Sequence, residues 1–133
     1  MASIRKEITV DAPVDVIWDA LRDVGALHTR LVPGFVTDTK LEPGARIVTF
    51  SNRQVVRELI VDVNDTDRRV AWAVTDEPFR HYNASAQVFA DPSGSSRFVW
   101  IADLLPDELK DHVSAMMDAG LGAIKTKFDG SGV

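Results

Sequence analysis

The sequence contains no cysteine, which excludes a disulfide scaffold, a thiolate metal site and a cysteine nucleophile. It is short of cations, with 15 lysines and arginines against 20 aspartates and glutamates and a formal net charge of -5. The basic residues form no cluster, so the electrostatic footprint that binding to nucleic acid requires is missing. No apolar run approaches the length of a membrane span, and the opening Met-Ala-Ser-Ile-Arg-Lys-Glu lacks the apolar centre of a signal peptide. The expectation is a cytoplasmic protein without integral membrane association, a monomer or homodimer. Internal repeats, linkers, metal-ligand clusters and phosphate loops are absent too, and no cofactor is implied. Asn83-Ala-Ser85 fits a glycosylation acceptor, a match that carries no weight without secretion.

What remains is an ordinary globular composition, 45% hydrophobic and 26% charged over 133 residues. That length supports one core and is too short for two, so residues 1–133 are expected to form a single domain. Ile4, Ile8 and Val10 alternate with polar residues as a first strand. Asp11-Ala-Pro13 stops it, with Asp11 placed to cap a helix from Val14 to Val24 that ends at Gly25. Residues 25–34 leave room for a short second helix before Pro33-Gly34 turns the chain.

Six short strands follow, over 35–41, 46–51, 55–63, 69–75, 81–90 and 97–104. Their local turns favour antiparallel hairpins. From Leu109 the apolar residues Val113, Met116, Met117, Leu121, Ile124 and Phe128 recur at three- and four-residue intervals, the stripe of a long helix. The order β-α-α-β-β-β-β-β-β-α belongs to the α+β class.

The phrases Ile8-Thr-Val-Asp-Ala-Pro-Val-Asp-Val-Ile-Trp18, Leu21-Arg-Asp23, Arg57-Glu-Leu59, Asp67-Arg-Arg-Val-Ala-Trp72 and Leu105-Pro-Asp107 carry a resemblance. Over essentially its whole length the chain resembles the helix-grip (START-like, birch-allergen-like) superfamily, in particular small bacterial proteins described as polyketide cyclase, dehydrase or lipid transport. The resemblance implies a curved antiparallel sheet wrapped around the C-terminal helix, with a cavity between them for an apolar small molecule. The segment from Glu58 to Trp72 is also similar to plant abscisic-acid receptors of the same fold. There the positions matching His28, Glu58, Trp72 and Tyr82 face the hormone, the first of them as a lysine.

Alternation along the strands adds Val56 and Ile60 to Glu58, Val70 and Val74 to Trp72, and Ala84 and Ala86 to Tyr82, as expected lining. Met116, Met117 and Gly120 on the last helix are further candidates, with core packing and close helix–sheet approach as the alternatives. Two readings of Glu58 stand open. It faces the interior, or it faces outward in a cross-strand ion pair with Arg46. Strand parity is open between Val48/Phe50 and Ile47/Thr49, and between Trp100 and Val99. His112 reads as an exposed helix position.

Three functions are compatible with these residues: a carrier of an apolar or amphipathic ligand, a cyclase or dehydratase using His28, Glu58 and Tyr82 as acid–base groups, and a chaperone-activator-like interaction module. With no visible nucleophile–base pair, the carrier is favoured.

Overall fold

The computed structural model describes residues 1–130. Residues 131–133, which the expected domain includes, lie outside the described residues. The chain runs through β1 (Ala2–Val10), α1 (Val14–Leu21), a turn of wide helix (Leu27–Leu31), then β2 (Val36–Glu42), β3 (Ala45–Phe50) and β4 (Val55–Asn64). It continues through β5 (Arg69–Ala73), β6 (His81–Ala90), β7 (Ser96–Leu105), a tight turn (Asp107–Leu109) and α2 (Lys110–Phe128). The strands form one antiparallel sheet in the order β1-β7-β6-β5-β4-β3-β2. From β2 to β7 every neighbour in the sheet is also a neighbour in the chain, as short turns allow. Only β1 crosses back, pairing Ala2–Val10 with Leu104–Ser96. This is the helix-grip arrangement expected from the sequence.

The sheet's inner face and α2 share a core in which Phe98, Ile17, Leu104, Met117 and Ile124 are fully buried. The stripe on α2 is the one its spacing predicts, with Val113, Met117, Leu121, Ile124 and Phe128 buried. Helix α1 is shorter than expected. It stops at Leu21, and Pro13 stands at its N-cap without a side-chain cap, while the backbone of Asp11 turns toward the C-terminal end of the chain. The Asp11 N–H donates to Asp129 Oδ1 at 2.9 Å, and its carbonyl accepts from the Gly130 N–H at 2.8 Å. Val24 does not continue the helix either, and its carbonyl accepts from Arg46 at 3.3 Å. The expected second helix is a single wide turn closed by Val32 N–H to Leu27 O at 2.9 Å, an i→i+5 bond.

Strand β1 and helix α2 run side by side. The N-terminal ammonium meets Asp107 at 3.4 Å, Lys6 meets Asp118 at 2.8 Å, and Asp11 meets Asp129. Successive ties are five residues apart on the strand and eleven apart on the helical side, and both steps span about 16 Å. The ion pairs are largely exposed, so they record this register more than they stabilise it.

Candidate functional site

A cavity of about 320 Å³ lies between the concave sheet face and α2, at the lower end of small-molecule sites. Val48, Phe50, Val56, Trp72, Phe98 and Trp100 form its sheet wall. Leu27, Leu31 and Val32 from the wide turn close one side, and Val113, Met116, Met117 and Ile124 from α2 close another. Register settles the open parities. Arg46 stands opposite Glu58 and Val48 opposite Val56, so Arg46, Val48 and Phe50 point inward, while on β7 Phe98 and Trp100 do so.

The polar groups are few. Arg46 Nε donates to Glu58 Oε1 at 2.8 Å, with the residues 3% and 8% exposed. The guanidinium also lies over the Trp72 ring, 5.4 Å from its centre. Glu58 therefore combines the two readings left open by the sequence, since it faces the interior and is paired with Arg46. Tyr82 packs on Phe79 with ring centres 4.8 Å apart. Burial, and secondarily the charge of Glu58, pushes the Tyr82 hydroxyl well above its ordinary value, so it remains a neutral donor even in alkaline solution. The Trp100 indole N–H is buried without a hydrogen-bond partner. Gln54, Pro78 and His112 are exposed yet line the cavity, and so mark its mouth.

Of the residues singled out from sequence, Val56, Glu58, Trp72, Val74, Tyr82, Ala86, Met116 and Met117 are brought together around this space. His28, Ile60, Val70, Ala84 and Gly120 are not among its lining. In the wide turn Leu27 and Leu31 take the inward positions, leaving His28 half-buried with its Nδ1 unpartnered. Ile60 adjoins the bulge where β4 slips against β5, and such a bulge bends the strand. Ala84 sits opposite Trp72 in the ladder, and it is Ala86 that reaches the cavity.

The room left by Gly120 is taken by aromatic rings. A Cβ there would stand 2.8 Å from Trp100 Cζ3 and 3.2 Å from Phe35 Cε2. Sequence reasoning missed His112, although Leu109, His112 and Met116 share a helix face at three- and four-residue spacing. It also missed Phe35, Gln54 and Phe79, which come from turns and loops without periodicity. Among the described residues no group of histidine, aspartate and glutamate side chains is arranged to hold a metal, and no helix is long and apolar enough to cross a membrane.

A family model described as polyketide cyclase / dehydrase and lipid transport matches residues 1–129. No curated protein matches the sequence. Among solved structures the chain is similar to XoxI from Bacillus cereus, at 18% identity and TM-score 0.87 with 96% of each chain covered. It is similar to the di-domain ARO/CYC BexL at 16% identity and TM-score 0.79, over 95% of this chain and 46% of that one. A point mutant of norcoclaurine synthase from Thalictrum flavum, in complex with a transition-state analogue, aligns at 19% identity and TM-score 0.68 over 94% and 92% of the two chains. At such identities the structural likeness shows the fold alone. With all but its last few residues matched by the family and its sheet gripping α2, the chain belongs to the polyketide cyclase/dehydrase and lipid-transport family of the helix-grip superfamily.

Proposed function

We propose that the protein binds and carries an apolar or amphipathic small molecule in the cavity between sheet and α2. The observation that carries this reading is an apolar hollow of about 320 Å³ in a domain whose interior would otherwise be close-packed. Voids larger than a water molecule are few in such interiors and cost stability. Retaining one walled by Trp72, Trp100, Phe50 and Phe98 favours a role for the space itself.

The cyclase or dehydratase reading needs a base free to take a proton. Glu58 is committed to Arg46, and His28 does not line the cavity, so binding is favoured over acid–base turnover. The interaction-module reading needs a continuous apolar patch. Of the large exposed apolar residues, Met1, Val16, Leu41 and Ile101 are spread over the N-terminus, α1, β2 and β7, while Val55, Val61 and Val63 lie along β4.

Native mass spectrometry of protein purified from its host tests the proposal. A co-purified small molecule is expected, and Val56→Phe, which fills part of the hollow, is expected to lower its occupancy at least five-fold. Purified protein without any such adduct, or undiminished occupancy in a folded Val56→Phe variant, would count against it.

A further inference from the structure

We infer that the ligand presents an uncharged polar group, such as a hydroxyl or a ketone, and not a carboxylate or phosphate, to the inner pole of the cavity formed by Arg46, Glu58 and Tyr82. The inference rests on the binding reading above and adds the chemistry of the ligand.

Arg46 is the only lysine or arginine among the described residues that line the cavity, and its charge is already taken up. Nε donates to Glu58 at 2.8 Å, Nη1 donates to the Val24 carbonyl at 3.3 Å, and the guanidinium face rests on Trp72. Its side chain is 3% exposed and lies 2.8 Å from the Glu58 carboxylate, so an anion that reaches the guanidinium also comes close to a like charge. A carboxylate pushed to this pole would lose its water, gain no free cation and meet a like charge. Burying an unpaired anion is among the costliest acts available to a folded protein.

A neutral group loses less on leaving water and meets no like charge. The Tyr82 hydroxyl, neutral like any phenol at neutral pH, can donate to a carbonyl, and the Glu58 carboxylate can accept from a hydroxyl. His112 is the remaining titratable group lining the cavity, and it is exposed at the mouth. A charge on the ligand is therefore accommodated only at the solvent end, with the neutral end inward.

Calorimetric titration with 2-naphthol and 2-naphthoate at neutral pH tests this directly, since the two share a skeleton and differ in the charge of one group. The native protein is expected to bind the naphthol at least ten-fold more tightly. Glu58→Gln keeps the shape and an acceptor for Arg46 but leaves the guanidinium uncompensated, and it should narrow or reverse that preference by ten-fold or more. Naphthoate binding the native protein as tightly as naphthol would overturn the inference while leaving the binding reading intact, as would an unchanged preference in folded Glu58→Gln. Binding of neither compound at millimolar concentration would overturn the binding reading and the inference with it. Should Glu58→Gln fail to fold, the comparison on native protein decides alone.

Discussion

Arg46 and Glu58 face each other across β3 and β4 with almost no water around them, and neither can be removed alone without stranding the other's charge. Arg46→Met is expected to cost about 3–5 kcal/mol in chemical denaturation, whereas Arg46→Met combined with Glu58→Leu should recover most of it, because a buried pair gains little over well-packed apolar groups. A single mutant no less stable than the double mutant would contradict this. Tyr82 offers a second measurement at the same scale, because it is the only tyrosine in the chain. Its hydroxyl is raised from an ordinary value of 10.0 by burial and then by Glu58. It should remain protonated in the folded state as the pH passes 10.0, and its ultraviolet tyrosinate band should appear only together with unfolding. The unfolded chain ionises first, so the stability linked to Tyr82 is complete below that pH and is lost above it. A tyrosinate band in folded protein at its ordinary value would refute the burial. At this scale the sequence was informative about identity and weak about direction. A glutamate between Val56 and Ile60 marked the site, but pairing and burial are alternatives only while the position of Arg46 is unknown. His28 shows the converse, since nothing local to it says that Leu27 and Leu31 will take the inward positions.

Helix α2 carries two glycines that look alike in sequence and differ in place. Gly120 packs under Trp100 and Phe35, whereas Gly122 has nothing within 4 Å of where a Cβ would stand. Gly122→Ala should therefore stabilise the protein by about 1 kcal/mol through helix propensity. Gly120→Ala must displace the Trp100 ring, and a net loss of about 1–2 kcal/mol is expected after the same propensity gain is offset by overpacking. Thermal or urea denaturation of the two variants checks the opposite signs, and equal shifts would show that the ring yields freely. The α2 stripe and the hairpin order were legible because a periodicity of 3.6 and turn residues at short intervals are local properties. Strand parity on β3 and β7 was not, because inward and outward positions there are both apolar, as with Val48 and Ile47 or Trp100 and Val99. Only register against β4 and β6 chooses between them. The early end of α1 was not legible either, since beyond Leu21 the chain turns with the Val24 N–H donating to the Arg22 carbonyl although the apolar spacing continues to Val24.

At the scale of the whole molecule, three exposed carboxylates held below their ordinary range by surface partners add a modest contribution to acid stability. Glu7 is held first by Arg97 and then by Arg5, Asp65 first by Arg22 and then by the Trp18 indole, and Asp129 first by the Asp11 amide and then by Lys125. All three shifts are downward, so their contribution is complete above the ordinary carboxyl range, about pH 4, and disappears as the pH falls through it. Melting temperature should be level near neutrality and drop below about pH 4, with part of that drop absent in Asp129→Ala. A melting temperature that holds constant to pH 2 would exclude this linkage. A ligand in the cavity should act oppositely, adding about 2.7 kcal/mol at a hundred times its Kd. The size of the hollow was beyond the sequence, because it is set by how far α2 stands from the sheet and not by any one residue. The ties along β1 and α2 recur in step, five residues on the strand to eleven on the helical side, and this correspondence reads like a vernier scale. One residue inserted into α2 before Asp118 would turn everything beyond it by about 100°, taking the apolar stripe off the sheet, while the same insertion at Ser93-Gly94 would only lengthen a hairpin loop. A change of length in a hairpin loop therefore disturbs the core less than a change in β1 or α2 alone, which would shift the five-to-eleven match between them.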